Sequence, residues 1–242
     1  MISGKQLKTM REGALERRAL SCADIGKVHT LTTTNINLLM PDPDDIDIAD
    51  IAWGLGRIPR FNGHMRADYS VAHHSVVMSY LVPKRFAKEA LLHDAAEAYM
   101  GDIITPVKNL FPEVRKVEKH LLAAIMRKFE VDVDILPDRQ GLDECRLHEE
   151  VALLDFMLYE AECHEFGRPE GYSHPDIDRI WIEAALAHDD FWYAGQYAFM
   201  QRYDQLWGTT SFDKDTGLMS KELSDKWFPP TEEKEDAEAK EV

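Results

Sequence analysis

In one segment of this chain after another, apolar residues return at the three- and four-residue spacing of an α-helix, and strand-like alternation is nearly absent. The pattern predicts an all-α fold. Ile48, Ile51, Ala52 and Leu55 form one such stripe behind Asp45 and Asp47 as candidate N-caps, with Gly54 and Gly56 expected to end the helix. Val71, His74, Met78 and Leu81 form the next, stopped by Pro83. A third helix is expected from about Lys84 to Met100, ending at Gly101. Two longer ones follow. Residues 112 to 129 turn Val114, Val117, Leu121, Ile125 and Met126 inward, and residues 142 to 166 do so with Leu147, Val151, Leu154 and Leu158. Residues 4 to 18 suit a short amphipathic helix, 21 to 45 read as connecting structure, and the aromatic-rich stretch from 174 to 207 predicts one or two more helices.

Length and charge narrow the partners. The 242 residues read as a single helical domain over 1–208 with a C-terminal extension, 209–242. In that extension TEEKEDAEAKEV, with six acids against two lysines, is expected to be disordered over at least 231–242. A formal charge of −16 argues against a duplex-binding or anionic-membrane surface, so a polyanion would have to bind a local pocket. The charged start and the lack of a run of about 18 apolar residues lead to a cytoplasmic expectation. Cys22, Cys145 and Cys163 form no CxxC pair, and read as packing residues in a reducing compartment.

The chemistry concentrates in LLHDAAEAYMGD, where His93 and Asp94 stand side by side directly after an apolar run. On a helix Glu97 is the i+4 neighbour of His93 and the i+3 neighbour of Asp94, so three ionisable side chains share one patch. Burying them unpaired would cost several kcal/mol. A divalent cation resolves that cost, and an imidazole-carboxylate set suits Co, Mn, Zn, Ni or Fe. His74 lies on the inward stripe one helix earlier, and Asp155 lies with Val151 and Leu158 where the period predicts core. Periodicity does not separate His74 from its neighbour His73, which reads as a surface or supporting residue. His188 and Asp189 form a second HD pair with nothing around them that resembles a site, and His64 and His120 sit in loop-like or charged surroundings.

The joint pattern over about residues 31 to 165 resembles the HD-domain metal-dependent phosphohydrolases, in particular small bacterial and phage 5′-deoxynucleotidases and deoxynucleoside triphosphohydrolases. YSVAHHS is similar to the helix that supplies the first histidine, LLHDAAEAYMGDIITPVK to the HD helix and its following turn, and Arg60-Phe61 to the arginine-aromatic pair ahead of them. His73 departs from the pattern, standing where relatives usually carry Glu or Gln. The resemblance implies an HD helical bundle with additional C-terminal helices and metal ligands at His74, His93, Asp94 and Asp155. It implies catalytic roles for Glu97, as proton donor to the leaving 5′ oxygen or manager of the water's proton, and for Asp102, through a sugar hydroxyl or a shared acid role. Arg60, Phe61 and Lys108 are implied at the substrate.

The implied reaction is hydrolysis of the 5′ phosphate ester of a (deoxy)ribonucleotide, in the first place a nucleoside 5′-monophosphate to nucleoside and phosphate. Release of triphosphate from a dNTP, with additional Mg, is the alternative. A catalytically silent HD fold acting as nucleotide sensor or scaffold is the alternative of another class. The partners expected are a small-molecule nucleotide and further copies of the chain, with neither duplex nucleic acid nor a membrane.

Overall fold

The computed structural model describes residues 26–32, 35–66, 68–138, 141–167 and 195–211. The expectations for residues 4 to 18, Cys22, residues 174 to 194 with His188 and Asp189, and the acidic tail lie outside them. The described residues form a mainly helical bundle, in line with the all-α expectation. A two-stranded hairpin of β1 (Lys27–Val28) and β2 (Ile36–Asn37) leads into α1 (Ile48–Arg57). Asp47 caps α1, its side chain accepting from the Ala49 amide at 2.8 Å, while Asp45 belongs to the 3₁₀ turn before it.

The two glycines do not end α1. The helix runs past both to Arg57, and a Cβ at Gly54 would stand 2.8 Å from the Cβ of Ala98 and 2.9 Å from its carbonyl oxygen. Gly54 therefore marks a close approach to the segment that carries Glu97, and not a stop.

The next helix, α2 (Val71–Leu81), is buried without a break from Val71 to Ser79, so it lies in the middle of the bundle. Val71, Ala72 and Val76 join a large core with Ile51, Leu55, Leu92, Leu121, Ile125, Phe199 and Met200. Val77 and Met78 join a smaller one with Tyr69, Phe86, Val151, Leu158 and Phe166. Each fully buried Leu, Ile or Phe contributes about 1.5–3 kcal/mol.

The segment 84–100 departs from the single helix expected. A 3₁₀ turn at Lys84–Phe86 precedes α3 (Ala87–Leu92), and α4 spans only Glu97–Met100. Between them the chain tightens, with Ala95 N–H bonding to Leu92 O and Glu97 N–H to Asp94 O, both i to i+3 at 2.9 Å. Gly101, at φ 82°, then turns the chain off the helix.

After α5 (Thr105–Leu110) and α6 (Pro112–Lys128), an antiparallel hairpin of β3 (Asp134–Leu136) and β4 (Glu144–Arg146) occupies part of what the periodicity assigned to a helix from Leu142. The helix there, α7, runs from Glu149 to Glu162 and ends in a wide π-type turn, Cys163–Gly167. The last described helix, α8 (Gly195–Trp207), packs on α1 and α2 through Ala198, Phe199, Met200 and Tyr203. Cys145 is buried and Cys163 half-buried.

Candidate metal centre

Three helical segments bring His74, His93, Asp94 and Asp155 together. His74 is fully buried in the middle of α2, and His93 follows α3 directly. The Nε2 atoms of the two rings are 3.2 Å apart. Asp155, from the middle of α7, places Oδ1 3.0 Å from His74 Nε2 and 3.7 Å from His93 Nε2. Asp94 Oδ2 lies 3.2 Å from His93 Nε2 and 3.9 Å from His74 Nε2.

The other nitrogen of each ring fixes what faces the centre. His93 Nδ1 lies 2.8 Å from the carbonyl of Ala90, an acceptor only, so it carries the proton. His74 Nδ1 lies 2.6 Å from Glu162 Oε1, a carboxylate with the same requirement. Two Nε2 lone pairs therefore point at each other inside a buried site, an arrangement that only a cation makes favourable. Two donors each about 2.1 Å from one ion stand about 3.0–3.4 Å apart at ordinary coordination angles, close to the spacing observed here. His74, His93 and Asp155 could thus hold a metal ion, and Asp94 stands beside them.

The electrostatics agree. Burial would lower both imidazoles, but Glu162 and Asp155 raise His74, and Asp94 and Asp155 raise His93 further. Burial would likewise raise the two carboxyls, yet the two imidazoles hold Asp155 well below the usual range, and His93 holds Asp94 at about 2.

Around this centre lie the other residues singled out from the sequence. Glu97 is buried, and burial together with the Asp94 and Asp102 charges pushes its carboxyl up to about 9. Its Oε1 is 3.5 Å from Lys108 Nζ, and its Oε2 has no hydrogen-bond partner among the described residues. Asp102, half-buried just past Gly101, is also raised, by burial first. Lys108 pairs more closely with Glu118, at 2.5 Å, than with Glu97. Arg60 is nearly buried, its Nη2 3.1 Å from Glu162 Oε2 and its Nη1 3.6 Å from Asp94 Oδ2, while its Nε has no partner among the described residues. Phe61 holds a left-handed conformation (φ 54°) that stacks its half-buried ring on Tyr159, centroids 5.4 Å apart.

Two placements differ from the sequence reading. His73 is not on the surface. It is 6 % exposed, and its Nδ1 accepts from the Ser70 amide at 3.1 Å while Ser70 Oγ accepts from the His73 amide, a reciprocal cap on α2. Asp155, expected in the core, keeps its side chain 39 % exposed, at the open side of the centre.

Sequence reasoning passed over Glu162 and Glu89. Both are buried carboxylates, and both clasp α7. Glu89 accepts from the His148 amide at 2.7 Å and faces His148 Nδ1 at 2.8 Å, at the start of the helix. Glu162 closes its end. The signal for Glu162 was its seven-residue spacing from Asp155, which puts both on the stripe of Val151 and Leu158.

The comparisons bear on this centre. No family model matches the chain. The uncharacterized protein YfdR of Escherichia coli (strain K12) is 51% identical over 137 residues, covering 57% of this chain and 70% of that protein. An uncharacterized protein of Rhodobacter capsulatus is 32% identical over 161 residues, 62% of this chain and 76% of the relative. The chain thus belongs to the family of YfdR. A 5′-deoxynucleotidase of Vibrio cholerae is 40% identical over 58 residues, 24% of this chain and 28% of that enzyme, which together with the His/Asp cluster suggests an HD-type hydrolase. Among the described residues no helix is long and apolar enough to cross a membrane.

Proposed function

We propose that the protein is a metal-dependent phosphohydrolase that cleaves the 5′ phosphate ester of nucleoside 5′-monophosphates, releasing nucleoside and phosphate. The observation that carries this reading is the buried pair of Nε2 atoms, 3.2 Å apart, flanked by two carboxylates and the Arg60 guanidinium. His74, His93, Asp94 and Asp155 would hold the ion. When bound, a divalent ion lowers the pKa of water and neutralises charge on a phosphoryl group under attack.

The residues around it have separate tasks. Arg60 is fixed by Glu162 through Nη2, and its Nη1, on the Asp94 side, is the donor for a phosphoryl oxygen. Glu97, buried beside Asp94 with its Oε2 unpartnered among the described residues, donates to the leaving 5′ oxygen or manages the proton of the attacking water. Asp102 accepts from a sugar hydroxyl or shares the acid role. The Phe61–Tyr159 stack offers an apolar face to the sugar or base. A monophosphate is favoured over a triphosphate by the cations. Lys108 is already shared between Glu97 and Glu118, which leaves Arg60 to meet the substrate's phosphoryl charge among the motif cations.

The test is a panel of ribo- and deoxyribonucleotides at each phosphorylation level, presented to the Co²⁺- or Mn²⁺-loaded protein with products separated by ion exchange. The expected result is inorganic phosphate and nucleoside from monophosphates. Intact triphosphate released from dNTPs would move the activity to the triphosphohydrolase, and metal binding with no hydrolysis would leave a nucleotide sensor.

A further inference from the structure

We infer that Glu162 is a positioning residue that fixes which nitrogen of His74 faces the metal and, through the same carboxylate, sets Arg60. This deepens the phosphohydrolase reading and rests on it.

Glu162 is fully buried, and three donors from two other parts of the chain reach its two oxygens. Oε1 faces His74 Nδ1 at 2.6 Å and accepts from Tyr69 Oη at 2.9 Å, and Oε2 accepts from Arg60 Nη2 at 3.1 Å. It is the last residue of α7, two turns beyond Asp155. One helix therefore meets the His74 ring at both nitrogens, through Glu162 at Nδ1 and Asp155 at Nε2.

A neutral imidazole carries one N–H. An ionised carboxylate accepts only, so Glu162 holds that proton on Nδ1 and leaves the Nε2 lone pair toward His93 and Asp155. Without it the Nε2–H tautomer gains a partner in Asp155 Oδ1, and the proton then stands where the ion must be. The Glu162 contact thus separates two arrangements of the same ring, one competent to bind metal and one not. A glutamine at 162 can still accept from Nδ1–H and Tyr69, but its amide then points N–H at Arg60 Nη2, donor against donor.

The test uses the full chain carrying Glu162→Gln or Glu162→Asp, with Glu150→Gln at the exposed start of the same helix as control. Co²⁺ affinity is read by visible absorption, and the His74 tautomer by ¹⁵N shifts of the metal-free protein at pH 9. The inference expects a wild type with Nδ1–H, a loss of Co²⁺ affinity of about 10–100-fold in Glu162→Gln, and a smaller loss in Glu162→Asp, which keeps the charge. In Glu162→Gln the Nε2–H form should also appear. Wild-type protein with Nε2–H overturns the inference whether or not the variants fold, as does a Glu162→Gln protein that binds Co²⁺ like the control. Wild-type protein that binds no Co²⁺ overturns it together with the phosphohydrolase reading.

Discussion

His73 and His74 stand side by side on α2, both buried, yet the structure gives them different work, and exchanging each for alanine separates that work. His73 closes a reciprocal cap with Ser70 and stacks its ring on Tyr69 at 5.7 Å. Removing it leaves the Ser70 hydroxyl on the residue-73 amide but loses the ring's acceptor for the Ser70 amide, about 1 kcal/mol, and the packing of a buried ring, about 2–3 kcal/mol. At about 2–4 °C per kcal/mol for a chain of this size, His73→Ala should melt roughly 6–16 °C below wild type in chelator. His74→Ala also destabilises, because it leaves Glu162 and Asp155 without their imidazole. The metal increment distinguishes the two. Ion at 100 times its Kd adds about 2.7 kcal/mol to the folded state, a rise of roughly 5–11 °C. Thermal scans with chelator and with Mn²⁺ should find that rise intact in His73→Ala and absent in His74→Ala. The reverse pattern would refute the placement of His74 at the centre.

Two further changes probe the surroundings. Glu97→Gln should keep the metal and slow turnover by roughly 10²–10⁴-fold, the usual share of a positioned proton donor. Since the folded protein holds the Glu97 proton up to about 9 against an ordinary 4.5, stability of the metal-free wild type should fall as pH rises across that window, and urea titrations should find a flatter profile in Glu97→Gln. Glu89→Ala removes the acceptor of the His148 amide at the start of α7 and should cost about 1.5–3 kcal/mol, weakening Mn²⁺ binding through Asp155 without any change at the centre itself. Unchanged Mn²⁺ affinity in that variant would mean that α7 holds its place without the clasp.

What the sequence made legible follows from the range over which each signal acts. The stripe of Val71, His74, Met78 and Leu81 and the short apolar run before His93 are local patterns, and the structure buries their histidines as the period implies. The tightening at His93–Ala96 left no periodic trace, because i+3 and i+4 bonding share the same apolar spacing over one turn. The hairpin of β3 and β4 has three-residue strands, too short for alternation to register. Gly54 reads locally as a helix stop, and only Ala98, over forty residues away in sequence, explains it. Lys108 is a free cation in sequence and a paired one in space, since Glu118 sits two helical turns into α6. Glu162 needed three partners from other segments before its burial had a meaning.

In the proposed reaction His74, His93, Asp94 and Asp155 would hold one divalent ion, which would supply the Lewis acid for hydrolysis of the phosphate ester. The most direct measurement is metal content by elemental analysis and phosphate release from a deoxynucleoside monophosphate, made on the same preparations of wild type and Asp94→Ala. Asp94 Oδ2 lies 3.2 Å from His93 Nε2, so the account predicts near-stoichiometric metal and turnover in the wild type, and loss of both in the variant. An Asp94→Ala protein with wild-type metal content and wild-type turnover would contradict it.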